Sequence, residues 1–378
     1  MSKPGPEIQD ALVRRSIRGA KQSIPEVRQS IPGRSRHPHR RQVLAGLGIF
    51  ASGIAASSVL APAIFSPSAF ASEQDLRFKH AFGETVLPKP ARRVVSLGYT
   101  TQDPLLALGI VPVGIREWYG NLPHAVWPWA TPYLGDSKPT VLSGEVSVEI
   151  VASLAPDLIV GIGSGISRAE YDLLSQIAPV LMHPEGNDAY GTPWDVVTRL
   201  LGRATGMADK AEQLIAGTRG AFTSARKAHP DWEGKTGVCA YHTSGETGAF
   251  VGTDTRATFL KELGLVPPGA IASLSAPDSF FARLSPEDLS PLDADLLIWV
   301  SSFDTVPDIV ALPMRKTLNA HWQGREVFAG PLIAGALSFG SVLSLPFALK
   351  ALEEDIALAL DGNADTPVPS SVKAGLTR

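Results

Sequence analysis

One cysteine, Cys239, occurs in 378 residues. No intramolecular disulfide can form, so the fold must stand on its hydrophobic core. Histidine is scarce as well. Beyond residue 71 the histidines are His80, His124, His183, His229, His242 and His321, and none falls at the HxH or HxxxH spacing that points two imidazoles at one metal. Two motifs are incomplete. Around Ser164 the pattern G-x-S-x-G of a nucleophile elbow fails, because Ile162 and Ile166 occupy its glycine positions. The same stretch, GIGSGIS (161–167), lacks the third glycine of G-x-G-x-x-G. No paired acid and base stand out elsewhere, which disfavours an enzyme. Positive charge is also short past residue 71: 24 Lys/Arg against 34 Asp/Glu give a net charge of −10. An acidic body of this kind argues against a nucleic-acid partner.

The first 71 residues reverse that balance, with ten Lys/Arg and three Asp/Glu. From Gln42 to Ser72 no charge occurs at all, and the run VLAGLGIFASGIAASSVL (43–60) is apolar but diluted by Gly, Ser and Ala. The run ends in AFA (69–71), a small-x-small cleavage pattern, so 1–71 reads as a secretory signal peptide cut near Ala71. Arg40 and Arg41 precede the apolar run and resemble a twin-arginine export signal. An N-terminal membrane anchor is the alternative, since 18 mostly apolar residues approach a spanning length. With no cysteine at the cleavage site, export to the periplasm without a lipid anchor is expected.

Past the leader, short β-branched runs alternate with helical patterns. Strands are predicted at RRVVSLG (92–98), VPVGI (111–115), DLIVGI (157–162) and PVLMH (179–183), with helices at 103–110 and 169–178. From Trp194 to Phe222 the mostly apolar positions keep helical spacing; Gly202 and Gly206 leave one kinked helix or two equally open. The alternation then restarts. Strands are predicted at 237–243, 295–300 and 326–330, and helices at 257–265, 306–318 and 345–360. This implies parallel βαβ units in two halves. The expected division is an N-terminal lobe over 72–191, a connecting helix over 192–230, a C-terminal lobe over 231–361 and a disordered Pro/Ser/Gly-rich tail over 362–378.

One phrase occurs twice. EIVASLAPDLIV (149–160) and EDLSPLDADLLI (287–298) share Glu149/Glu287, Leu154/Leu292, Asp157/Asp295 and Leu158/Leu296. Each reads as a helix opened by a glutamate, then a loop, then a strand. Such a phrase also recurs by chance in α/β folds.

RVVSLGYTTQDPLLALGIVPVGI with VEIVASLAPDLIVG, and later GKTGVCAY, RLSPEDLSPLDADLLIWV and ALSFGSVLSLPFALKAL, resemble the two lobes of periplasmic binding proteins for ferric siderophores and cobalamin. The resemblance covers roughly 85–361. It implies an α/β fold of two Rossmann-like βα lobes joined by a long backbone helix, with the ligand in a cleft between them. It implies no cofactor, iron being held by the chelator, and delivery of the cargo to an inner-membrane ABC permease dimer with its ATPase, by a monomer. In that family a glutamate of each lobe docks onto permease arginines, and Glu149 and Glu287 match those places. Ligand contacts belong at the C-terminal ends of strands. The candidates are Tyr99, Arg116, Trp118 and Ser164 in the first lobe and Tyr241, Arg256, Phe281, Ser301 and Phe339 in the second. Aromatic faces suit the organic shell of a chelate and arginines its oxygens. Core packing is the rival role for Trp118, Phe281 and Phe339, and a surface salt bridge for Arg116 and Arg256. The Pro/Trp-rich stretch 121–142 either shields the cleft or packs Trp127 and Trp129 into a core of its own. Haem, with Tyr99 or Tyr241 as axial ligand, and cobalamin stay open as cargo; a metal-binding transporter subunit and a secreted hydrolase are weaker rivals.

Overall fold

The computed structural model of the chain describes residues 76–274 and 280–376. Gln74–Arg378 forms one compact unit. The predicted export segment and cleavage site lie outside the described residues.

A hairpin of β1 (Arg77–His80) and β2 (Gly83–Val86) leads in. The first lobe then runs β3 (Val94–Ser96), α1 (Gln102–Leu108), β4 (Gly114–Arg116), β5 (Thr140–Leu142), α2 (Val148–Ser153), β6 (Leu158–Val160), α3 (Arg168–Leu174) and β7 (Val180–Leu181). Two helices follow, α4 (Trp194–Thr205) and α5 (Ala208–Ala228). The second lobe comprises β8 (Gly237–Thr243), β9 (Glu246–Phe250), α6 (Thr255–Glu262), α7 (Gly269–Leu274), β10 (Phe281–Arg283), β11 (Leu296–Val300), α8 (Val306–Ala311), α9 (Asn319–Trp322), β12 (Glu326–Ala329), α10 (Pro331–Phe339), α11 (Ser344–Ala359) and α12 (Pro369–Lys373).

The first sheet is parallel throughout, in the order β5-β4-β3-β6-β7. The strands β3, β6 and β7 are buried at every position, which is why they read as unbroken apolar runs. The second sheet has the order β10-β9-β8-β11-β12. There β8, β11 and β12 are parallel, while β9 and β10 run antiparallel. In each sheet the first strand, β3 or β8, lies inside, and the chain leaves it first to one side and then to the other. That reversal opens a crevice at the C-terminal strand ends.

The doubled phrase occupies equivalent places, with β6 beside β3 and β11 beside β8. Its repeated aspartate does the same work twice. Asp157 accepts hydrogen bonds from the amides of Arg92 and Arg93 just before β3. Asp295 accepts from the amide and hydroxyl of Thr236 just before β8. Burial alone would raise the Asp295 carboxyl, but the Thr236 hydrogen bonds, with Arg325 and Lys235 behind them, hold it below the usual range.

One open choice closes and three expectations change. The connector is two helices: Gly206 adopts φ 70°, and the amides of Gly206 and Met207 return to the carbonyls of Arg203 and Gly202. This paired closure is a Schellman end, which glycine permits without steric cost. The second copy of the phrase forms no α-helix over 286–292. Pro286–Glu287 make a turn and Ser290–Leu292 one 3₁₀ turn, because side chains at Ser285 and Asp288 take up the amides of Glu287 and Ser290. The tail is also ordered as far as it is described, to Leu376, contrary to its composition. Val368 is buried in the main core, and α12 lies on the edge strand β12. There Ser370 Oγ accepts from the Phe328 amide, and Ser371 Oγ donates to the Glu326 carbonyl. The predicted helix over 306–318 likewise stops at Ala311, before Leu312–Pro313, and resumes as a 3₁₀ turn.

The largest cluster of buried apolar side chains runs through both lobes. It joins Leu106 and Ile115 of the first lobe, Phe222 and Ala225 of α5, and Leu337, Phe339 and Leu349 of the second. Cys239 is a core residue of β8, its thiol pushed up by burial. Among the described residues no helix is long and apolar enough to cross a membrane.

Candidate functional site

Arg116 ends β4, and the loops after β3 and β4 carry Tyr99, Trp118 and Tyr119, near the point where the first sheet reverses. Tyr99 stacks on Trp118 at 5.7 Å between ring centroids and on Tyr190 at 6.4 Å. The Arg116 guanidinium lies 4.7 Å over the Tyr99 ring. It donates to the carbonyls of Ser164 at 3.0 Å and Gly144 at 3.3 Å, and its buried Nε has no partner. Tyr190 comes from the loop before α4 and half of it is exposed. It extends the wall to Tyr190–Tyr99–Trp118, with Tyr119 edge-on to Trp118 at 4.9 Å.

The second lobe meets this wall directly. Tyr119 lies 5.8 Å from Phe303, a residue 51% exposed after β11. Trp118 lies 5.7 Å from Phe339. Burial raises the Tyr119 hydroxyl, with Ser338, Arg256 and Ser302 pulling it back, although its oxygen forms no well-directed hydrogen bond. Arg256 sits 3.7 Å over Phe250 and is gripped by Asp254, with Nη2 to Oδ2 at 2.6 Å and Nε to Oδ1 at 2.8 Å. Tyr241 packs on Phe250 and Phe281 and donates to Glu246 at 2.9 Å. Phe281, on the edge strand β10, is 41% exposed.

Beneath the wall the lobes are joined by an aromatic seam. Trp127 and Trp129 stack at 5.0 Å, and both touch Phe339. They are core as one alternative had it, though of the interlobe seam and not of their own loop. Gly335 of α10 is where the Trp127 ring seats: a Cβ there would come within 2.6 Å of it. Asp103 of α1 closes the seam. Its Oδ2 accepts from Trp129 Nε1 at 2.7 Å and from the Ser341 hydroxyl at 2.6 Å. Its Oδ1 is buried without a partner, and burial pushes its pKa up to about 7.

Tyr99, Arg116 and Trp118 are therefore brought together, and Tyr241, Arg256 and Phe281 form a second group reached through Ser338 and Tyr119. Three expected contacts turn elsewhere. Ser164 is buried, with its hydroxyl donating to Gly161 and accepting from the Ile166 amide. Ser301 is fully buried beside Thr305. Phe339 is 3% exposed and serves the seam. Small hydroxyls at strand ends close their own turns before they reach a cleft. Tyr190, Phe250 and Asp254 were not anticipated; only the short spacing of Asp254 to Arg256 hinted at a pair. Glu149 is exposed in the first turn of α2, its carboxyl held low by its own backbone amide and by Ser147. Glu287 is exposed on its turn. Among the described residues, no three His, Cys, Asp or Glu side chains converge where a metal ion could be held.

The sequence and fold are similar to those of known proteins. The model of the periplasmic binding protein family matches residues 94–329. The probable siderophore-binding lipoprotein YfiY of Bacillus subtilis (strain 168) is 30% identical over 239 residues, covering 61% of this chain and 70% of that protein. A periplasmic solute binding protein from Mycobacterium smegmatis str. MC2 155 superposes with a TM-score of 0.68 at 34% identity, over 75% of this chain and 98% of that one. PiaA of Streptococcus pneumoniae TIGR4, solved in complex with ferrichrome, gives a TM-score of 0.66 at 26% identity, over 76% of this chain and 99% of that one.

Proposed function

From the premise that the chain belongs to the periplasmic binding protein family, we propose that it captures a ferric siderophore between its lobes and hands it to an ABC permease for iron uptake. The observation that carries this reading is the wall Tyr190–Tyr99–Trp118 with Arg116 laid on it, at the sheet reversal and facing the second lobe. A coordinatively saturated chelate needs flat apolar faces and a hydrogen-bonding cation, not a protein ligand to iron. The siderophore-binding relative and the ferrichrome-bound neighbour point to the same cargo. The protein works by binding, without turnover. Export by the twin-arginine pair, residence in the periplasm free of a lipid anchor, and a monomeric state belong to this reading. The only cysteine, Cys239, lies buried in β8 and is unavailable for lipid attachment. Glu149 and Glu287, one exposed acid per lobe, are the proposed grips for permease arginines, since bidentate pairing fixes orientation.

The test is tryptophan fluorescence on adding ferric hydroxamate, catecholate and carboxylate siderophores, haem and cobalamin. Quenching by at least one ferric siderophore at micromolar concentration is expected, because Trp118 sits in the wall. Silence across the siderophores, or a response to haem alone, refutes the assignment.

A further inference from the structure

The charges around the wall narrow which chelate it fits; this step rests on the siderophore reading above. Three arginines lie on aromatic residues of the two groups, one on the wall and two on the second-lobe cluster. Arg256 stacks on Phe250, Arg283 lies 5.8 Å over Phe281, and Arg116 covers Tyr99. Two are already neutralised. Asp254 pairs with Arg256 at 2.6 Å, and Glu246 pairs with Arg283 at 2.8 Å. The last guanidinium nitrogen of Arg256, Nη1, donates to Ser338 Oγ. Among the described residues Arg116 forms no ion pair, only hydrogen bonds to carbonyls. Three guanidiniums against two carboxylates leave one net positive charge beside an aromatic surface.

Ferric complexes differ in the charge they bring. Three singly charged hydroxamates cancel the ferric ion, whereas three doubly charged catecholates leave a trianion. Placing a trianion against one uncompensated cation strips hydration without replacing it. A neutral complex loses little and keeps its stacking. We propose that the cleft selects ferric chelates of low net charge, of the trihydroxamate class, and that Asp254 sets this selectivity by neutralising Arg256.

Asp254 also caps α6 by accepting from the Arg256 amide at 2.8 Å, so Asp254→Asn keeps the cap while removing the charge. Wild-type protein and this variant are titrated with ferrichrome and with the ferric complex of a hexadentate tricatecholate, following tryptophan fluorescence. Wild type is expected to bind ferrichrome at least about tenfold tighter. In Asp254→Asn that ratio falls by about tenfold, chiefly through tighter tricatecholate binding. The wild-type affinity for ferrichrome should also hold between roughly 0.05 and 0.5 M salt. A wild-type preference for the trianion, or a steep loss of ferrichrome affinity in salt, overturns the inference and leaves the siderophore reading standing. An unchanged ratio in a folded Asp254→Asn protein removes Asp254 from it. Quenching by neither complex overturns this inference, and the siderophore reading falls with it only when the ferric carboxylate siderophores are silent as well.

Discussion

Asp103 shows how much one side chain carries. Its carboxyl ties α1 to Trp129 and, across the lobes, to Ser341, yet one oxygen is buried without a partner. With a folded pKa raised to about 7 against an ordinary 3.8, the folded state holds the extra proton. That contribution is complete below the unfolded value and is lost as pH rises from about 4 to about 7. Urea unfolding should show stability falling by a few kcal/mol, roughly 2–4, across that window. In Asp103→Asn that slope should disappear. A slope that persists in the variant would assign the pH dependence to other groups. Nothing in QDPLLAL marks this aspartate for burial, since its partners lie 26 and 238 residues away. The same holds for Asp157 and Asp295. The doubled phrase was legible, and so was its glutamate. That each aspartate clamps the start of the neighbouring strand depends on amides some 60 residues earlier in the chain, which no local pattern contains.

At the scale of elements, apolar runs announced the parallel strands and the long helices, because burial on both faces and helical periodicity are written locally. The antiparallel strands β9 and β10 escaped notice, although Ser244–Gly245, both at positive φ, form a two-residue hairpin turn between β8 and β9. The tail was misread because its composition suits a loop, while its order comes from contacts. An edge strand leaves unpaired backbone groups, and α12 covers those of β12 with two serines. Deleting residues 362–378 should cost about 2–4 kcal/mol, from the hydrogen bonds lost at Ser370 and Ser371 and the loss of the Val368 side chain from the core. Differential scanning calorimetry should show the lower melting temperature, with ferrichrome affinity unchanged. An unaltered melt would make the strap ornamental.

Across the whole molecule, the two-lobed plan was readable from the restart of the βα alternation. The candidate site was most readable on its first-lobe side, where Tyr99, Arg116 and Trp118 are near in sequence; on the second, Tyr241, Arg256 and Phe281 were named but not their partners. The second-lobe side is built by pairing, Asp254 with Arg256 and Tyr241 with Glu246, and pairing hides a residue's availability. The stacked tryptophans, Phe339, Asp103 and the shared core along α5 also bind the lobes into one body. Contacts of this kind oppose a change of shape when cargo arrives. On the docking reading proposed above, the exposed carboxylates Glu149 and Glu287 should then present the same spacing whether the carrier is full or empty. A transporter that reads only this spacing cannot tell the two apart. Unloaded carrier should therefore act as a competitive inhibitor: added in excess to permease vesicles, it should suppress ferrichrome uptake. The Glu149→Ala, Glu287→Ala double variant should bind ferrichrome normally yet neither deliver nor compete. Loss of ferrichrome affinity in that variant would contradict the docking role. The rigidity that holds the cleft in shape would thus set an optimum for how much carrier a cell should export.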